Sequence, residues 1–109
     1  MVYYCSVADV GSRIGLDSAQ RSRAESRIIR QIRHAAIAID QAFLEYGRDA
    51  VQQGEFAHVL REICADLAAS MYLEDEGTHQ TGADGGLRGK SLRDRGNHCL
   101  QRLAHLGKA

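Results

Sequence analysis

Apolar side chains recur at three- and four-residue steps from Ile28 through Ile32, Ala35, Ile39 and Phe43 to Tyr46. This rhythm places them on one face of an α-helix and is out of phase with the two-residue alternation of a strand. It predicts a long amphipathic helix whose apolar stripe faces a core. Ser22-Arg23-Ala24-Glu25 has the form of a capping box opening this helix, with Asp17 an alternative, earlier start, and Gly47 supplies the stop. A chain of 109 residues has room for one such core and not for two. Hydrophobic residues at 44% and charged residues at 26% fit a globular composition rather than a disordered one.

The rest of the chain punctuates itself in the same way. Ser6-Val7-Ala8-Asp9 fits a capping box and Gly15 a left-handed stop, which predicts a short helix over about 7–14. After a polar connection, Phe56, Val59, Leu60, Ile63, Leu67 and Met71 keep helical spacing, so a third helix is expected from Glu55 to about Leu73, with Glu62 and Asp66 on its outer side. Residues 74–90 contain Gly77, Gly82, Gly85, Gly86 and Gly89 and predict a flexible loop or arm. Ser91-Leu92-Arg93-Asp94 then caps a last helix carrying Leu92, Cys99, Leu103 and Leu106 on one face, with Gly107 as its stop. Gly96 on that face suits close helix approach, against about 1 kcal/mol of lost helix propensity. The expected fold is all-α: a single domain over 1–109, a small bundle of about four helices with a long central one.

The net charge is zero, but the charges are segregated. Residues 13–33 carry six arginines against two acids, residues 40–83 two arginines against nine acids, and residues 84–109 six bases against two acids. Such segregation suits contacts between unlike faces, within one molecule or between copies, better than a dedicated nucleic-acid surface. On the long helix Arg23, Arg27, Arg30 and His34 form a basic stripe, which reads either as a solvated face or as a partner-binding one. Ile37 and Leu44 lie roughly opposite the core stripe, where a solvated helix carries polar groups; two such residues on one edge point to a subunit interface.

Chemical signatures are sparse. Zinc motifs pair their ligands two to four residues apart, whereas the nearest candidates here are the adjacent His98-Cys99 and the six-residue spacing of His58 and Cys64. No metal or other cofactor is expected. Cys5, Cys64 and Cys99 contain no Cys-x-x-Cys pair and read as reduced, mostly buried thiols, Cys64 beside the apolar stripe. Gly82-Ala83-Asp84-Gly85-Gly86 lacks the lysine and hydroxyl of a phosphate-binding loop. The 47–54 connection is too long for a helix-turn-helix and leads into an acidic helix. An enzyme is not expected. The longest apolar run, Ala35 to Ile39, falls far short of the roughly 20 residues of a membrane span. Met1-Val2-Tyr3-Tyr4-Cys5-Ser6 lacks the features of a secretory signal, so synthesis in the cytoplasm is expected.

The order of these elements resembles a known family. Tyr4-Cys5-Ser6-Val7-Ala8-Asp9-Val10, Arg13-Ile14-Gly15-Leu16, the run from Ile28 to Tyr46 with Ala38-Ile39-Asp40, Leu60 to Ala69, and Leu92-Arg93-Asp94-Arg95-Gly96 through Leu103 resemble the small head-to-tail connector (head-completion adaptor) proteins of tailed bacteriophages. The resemblance spans nearly the whole chain and is one of hydrophobic layout, without a catalytic signature. It implies a homo-oligomeric ring, a dodecamer in the typical case, beneath the portal protein of a DNA-filled head. The ring extends the channel through which double-stranded DNA passes non-specifically and docks a stopper, neck or tail-completion protein. A ring subunit must bury two unlike surfaces, and the segregated charge and the apolar residues on both sides of the long helix point to an interface of Arg23, Arg27, Arg30, Ile37, Leu44, Glu62 and Asp66, the three arginines pairing with acids of the 55–76 region on a neighbouring copy. The chain end, with Arg102, His105, Leu106 and Lys108, would meet the portal. Family members often have an ordered arm where this chain has its glycine-rich segment. The alternative function is a small helical DNA-binding or regulatory protein.

Overall fold

In the computed structural model the chain is all-α, and the structure describes residues 4–47, 56–77 and 83–106. Four helices follow in order: α1 (Val7–Ile14), α2 (Ser18–Leu44), α3 (Ala57–Gly77) and α4 (Ala83–Leu106). No strand occurs among the described residues.

The first two helices begin and end as their caps dictate. Ser6 Oγ accepts from the Asp9 N–H while the Asp9 carboxylate accepts from the Ser6 N–H, and Gly15 closes α1 at φ 75°. The long helix starts at the earlier of its two possible sites. Asp17 and Gln20 form the reciprocal box, so Ser22 lies inside the helix rather than at its cap. The chain leaves α2 through Gly47 at φ 68°, a left-handed conformation that glycine adopts without steric penalty. At 27 residues α2 spans about 40 Å, close to the 46 Å long dimension of the molecule.

Although α2 is the longest helix, α3 has the longest unbroken buried run. It contacts α1, α2 and α4, and every residue from Ile63 to Ser70 is buried. The local sequence Ile-Cys-Ala-Asp-Leu-Ala-Ala-Ser explains this, because a helix that is small or apolar all round has no face to give to water. Ile28, Ile32, Ala35, Ile39 and Phe43 of α2 pack as expected into the core with Leu60, Ile63, Leu67 and Leu103. Tyr46 packs at its edge.

Helix α4 departs most from its sequence reading. It begins at Ala83, so Ser91 is interior and not a cap, and α3 runs on to Gly77. Of the segment expected as a loop at 74–90, residues 74–77 belong to α3 and 83–90 to α4, and 78–82 lie outside the described residues. Packing outweighs propensity here. Gly89 is buried against the Ser70 carbonyl and the Leu73 and Glu74 side chains, and Gly96 against Leu67 and Asp66, so two glycines sit where α4 lies closest to α3. The buried register is Gly89, Leu92, Gly96, Leu100, Leu103 and Ala104. Cys99, expected on this face, falls on its flank and is exposed. Gly107 lies outside the described residues.

Candidate interaction surface and its internal charge staples

Two polar features organise the molecule: a set of ion pairs that closes one side of it and an outward line on α2 that faces solvent. The ion pairs centre on Asp66. It was expected on the outer side of α3 but is buried, with 8% of its side chain exposed. Arg95 of α4 approaches it in bidentate fashion, Nη2 to Oδ1 at 2.7 Å and Nε to Oδ2 at 2.9 Å. Arg13 of α1 donates Nε to Oδ1 at 3.0 Å and also pairs with Glu62. One carboxylate thus ties three helices together, and charge-assisted, forked hydrogen bonds satisfy its lone pairs. Among the described residues no buried side-chain nitrogen or oxygen lacks a partner.

A second staple joins α1 to α3. Arg61 donates Nε and Nη2 to the two Asp9 oxygens at 2.9 and 2.6 Å. These bonds, helped by those from Ser6, hold the Asp9 carboxyl down at about 2, against an ordinary 3.8. A carboxyl depressed in the folded state adds stability that is complete above the unfolded value and fades as pH falls through the folded one. Asp9→Ala is accordingly expected to lower stability by about 1–2 kcal/mol at neutral pH, through loss of both cap and pair. In thermal melts between pH 7 and pH 2, the gap to the parent should hold down to about pH 4 and close below it.

A third staple links α3 to α4, with Arg93 Nη1 2.6 Å from Glu74 Oε1. These pairings answer much of the segregated charge within one molecule. Glu62 and Asp66, expected to serve a neighbouring copy, already hold Arg13 and Arg95. The basic stripe of α2 likewise meets the acidic end of α3 in its own chain. Arg27 lies over the Tyr72 ring at 5.7 Å, and Arg30 and His34 face Glu74 and Asp75 across a groove of about 400 Å³.

One line along α2 faces solvent, and it takes in Arg30 at the rim of that groove. Arg23, Arg30, Ile37 and Leu44 follow one another at seven-residue intervals, which drift only about 20° per step around a helix. All four are exposed, Ile37 at 42% and Leu44 at 66%, the two large hydrophobic residues that the core leaves in solvent among the described residues. The line is cationic in its N-terminal half and apolar in its C-terminal half. At the far end of α4 Arg102 is exposed; Lys108 and the side chains of His105 and Leu106 lie outside the described residues.

The partners of Arg13, Arg61 and Arg95 carry no local signal, because 29 to 53 residues separate them from the acids they hold. The same is true of Cys5 and Cys64, whose sulfurs meet across α1 and α3, and of Tyr4, whose hydroxyl donates to Asp40 on α2. Among the described residues no group of three or more His, Cys, Asp or Glu side chains converges as a metal site. No described helix is long and apolar enough to cross a membrane. Comparison with known protein families, with curated proteins and with solved structures finds no match to this chain.

Proposed function

We propose that this chain is a structural virion protein, a head-to-tail adaptor whose copies form a ring beneath the portal of a tailed bacteriophage, extend the DNA channel and dock the next neck or tail protein. The observation that carries the reading is the outward line of α2. A ring subunit joins its neighbour through two unlike surfaces, and an exposed strip that passes from guanidinium to apolar side chains is suited to one half of such a contact. The hydrophobic layout that resembles the adaptor family supports the same reading, and the all-α fold is compatible with it. Because Glu62 and Asp66 are engaged within the chain, the proposed contact rests on Arg23, Arg30, Ile37 and Leu44 rather than on pairs with those acids. The end of α4 from Arg102 onward is the segment assigned to the portal.

The test is deletion of the gene from its source genome, followed by electron microscopy of the particles and complementation in trans. The adaptor reading expects separate tails and heads that have lost DNA, rescued by the parent chain. Ile37→Glu/Leu44→Glu should fail to rescue even though these exposed changes leave the melting curve nearly unmoved. Normal tailed particles after deletion, or a source that makes no particles, would move the assignment to a DNA-binding regulator.

A further inference from the structure

We propose that Cys5 and Cys64 form a reversible intramolecular disulfide, a covalent latch between the segment ahead of α1 and helix α3. Their sulfurs lie 3.1 Å apart although 59 residues separate them in sequence. A disulfide needs about 2.05 Å, so closure asks for a movement of about 1 Å. That movement falls on Cys5, which precedes the first helical residue.

The two thiols are placed for unequal parts. Cys64 is fully buried, and its sulfur accepts from the Cys5 thiol and from the backbone N–H groups of Tyr4 and Cys5, which hold it below the ordinary cysteine range. Cys5 is only partly buried, so a small reagent can reach it. As the donor to Cys64 its own thiol is pushed upward, and negative charge on the pair rests on Cys64.

The oxidant is a low-molecular-weight disulfide, for which oxidised glutathione is the probe. Cys5 passes its proton to Cys64 as its sulfur attacks one sulfur of the reagent. The reagent's S–S bond breaks, and one glutathione leaves as thiolate and takes up a proton. Cys64 then gives up its proton and attacks the Cys5 sulfur, the mixed disulfide breaks, and a second glutathione departs as thiol. The thiol–thiolate pair loses two electrons and its one shared proton, which the second glutathione carries away, while the proton on the first glutathione comes from water. The closed loop contains α1 and α2, so the bond constrains most of the N-terminal half of the unfolded chain and should raise the melting temperature by about 10 °C.

This inference rests on the thiol pair and is independent of the adaptor reading. It is tested with the full-length chain carrying Cys99→Ser, which removes the exposed thiol that could link two molecules. The native protein is incubated with oxidised glutathione, then examined by intact mass, peptide mapping and thermal melting. The expected product has lost two hydrogens, yields a Cys5–Cys64 linked peptide, melts about 10 °C higher and reverts with dithiothreitol. The Cys5→Ser/Cys99→Ser chain should melt near the reduced parent and show no shift. A stable glutathione adduct on Cys5 with Cys64 free, no linkage at all, or linkage only after denaturation would overturn the proposal.

Discussion

Replacing both arginines that hold Asp66, Arg13→Met with Arg95→Met, is expected to destabilise the protein by about 3–5 kcal/mol, far more than either change alone. The carboxylate has 8% of its side chain exposed, and in the parent it meets two guanidinium groups. Removing one leaves the other, and the long methionine stem keeps most of the apolar contact, so each single change should cost about 1 kcal/mol. Removing both leaves a largely buried charge with neither of its arginine donors, and stranding a buried ion carries the larger penalty. The deficit beyond additivity measures this coupling directly. A third change separates the stranded charge from lost helix stapling: Asp66→Leu placed on the double variant should restore most of the loss, since a buried ion group replaced by apolar residues of similar volume is often neutral or better. Denaturant unfolding at pH 7 of the five chains checks the set. Additive single losses, or no recovery on adding Asp66→Leu, would show that Asp66 is better solvated than its burial implies. Against a total stability of about 5–15 kcal/mol for a domain, the double variant stands near the limit of folding.

The division between what was legible in the sequence and what was not follows the range of the forces involved. Caps and stripes act over one or two turns, so α1 appears with its Ser6–Asp9 box and Gly15 stop, and α2 with its buried stripe and its two exposed large hydrophobic residues, Ile37 and Leu44. Charges act across the fold. Glu62 and Asp66 keep helical spacing with the surface of an amphipathic helix, yet α3 has no single solvated face over its middle turns, and Asp66 goes inward because Arg13 and Arg95 arrive from other helices. A hint was present in the nearly unbroken run of small and apolar residues from Ile63 to Ser70, which marks a helix covered on every side. The Cys5–Cys64 juxtaposition had no such hint. It depends on how the segment before α1 crosses α3, which neither spacing nor composition encodes.

The glycines of α4 show the same limit from the other direction, and Gly96 gives the second large effect. Its lack of a side chain reads locally as a weakness of the helix, and replacing it with a residue of better propensity ought to gain about 0.5–1 kcal/mol. The structure reverses the sign. A β-carbon built at Gly96 would stand 2.9 Å from Leu67 Cδ2, 3.0 Å from its Cγ and 3.4 Å from the Asp66 Cβ. Leu67 is itself only 2% exposed and has little room to yield, and moving Asp66 would disturb the bonds from Arg13 and Arg95. Gly96→Val, which adds two further methyl groups, is therefore expected to cost about 3 kcal/mol net, the upper part of the usual overpacking range. The neighbouring Asn97 is exposed on the same helix, and Asn97→Val should stay within about 0.5 kcal/mol of the parent. The contrast isolates helix packing from helix propensity, because valine enters both positions. A loss at Gly96 smaller than 1 kcal/mol would mean that α3 and α4 separate readily, and the tight α3–α4 approach would then not be what determines the start of α4 at Ala83. A loss near 3 kcal/mol would identify close approach at Gly96 as a requirement of the fold, with Gly89 against the Ser70 carbonyl as its counterpart two turns earlier.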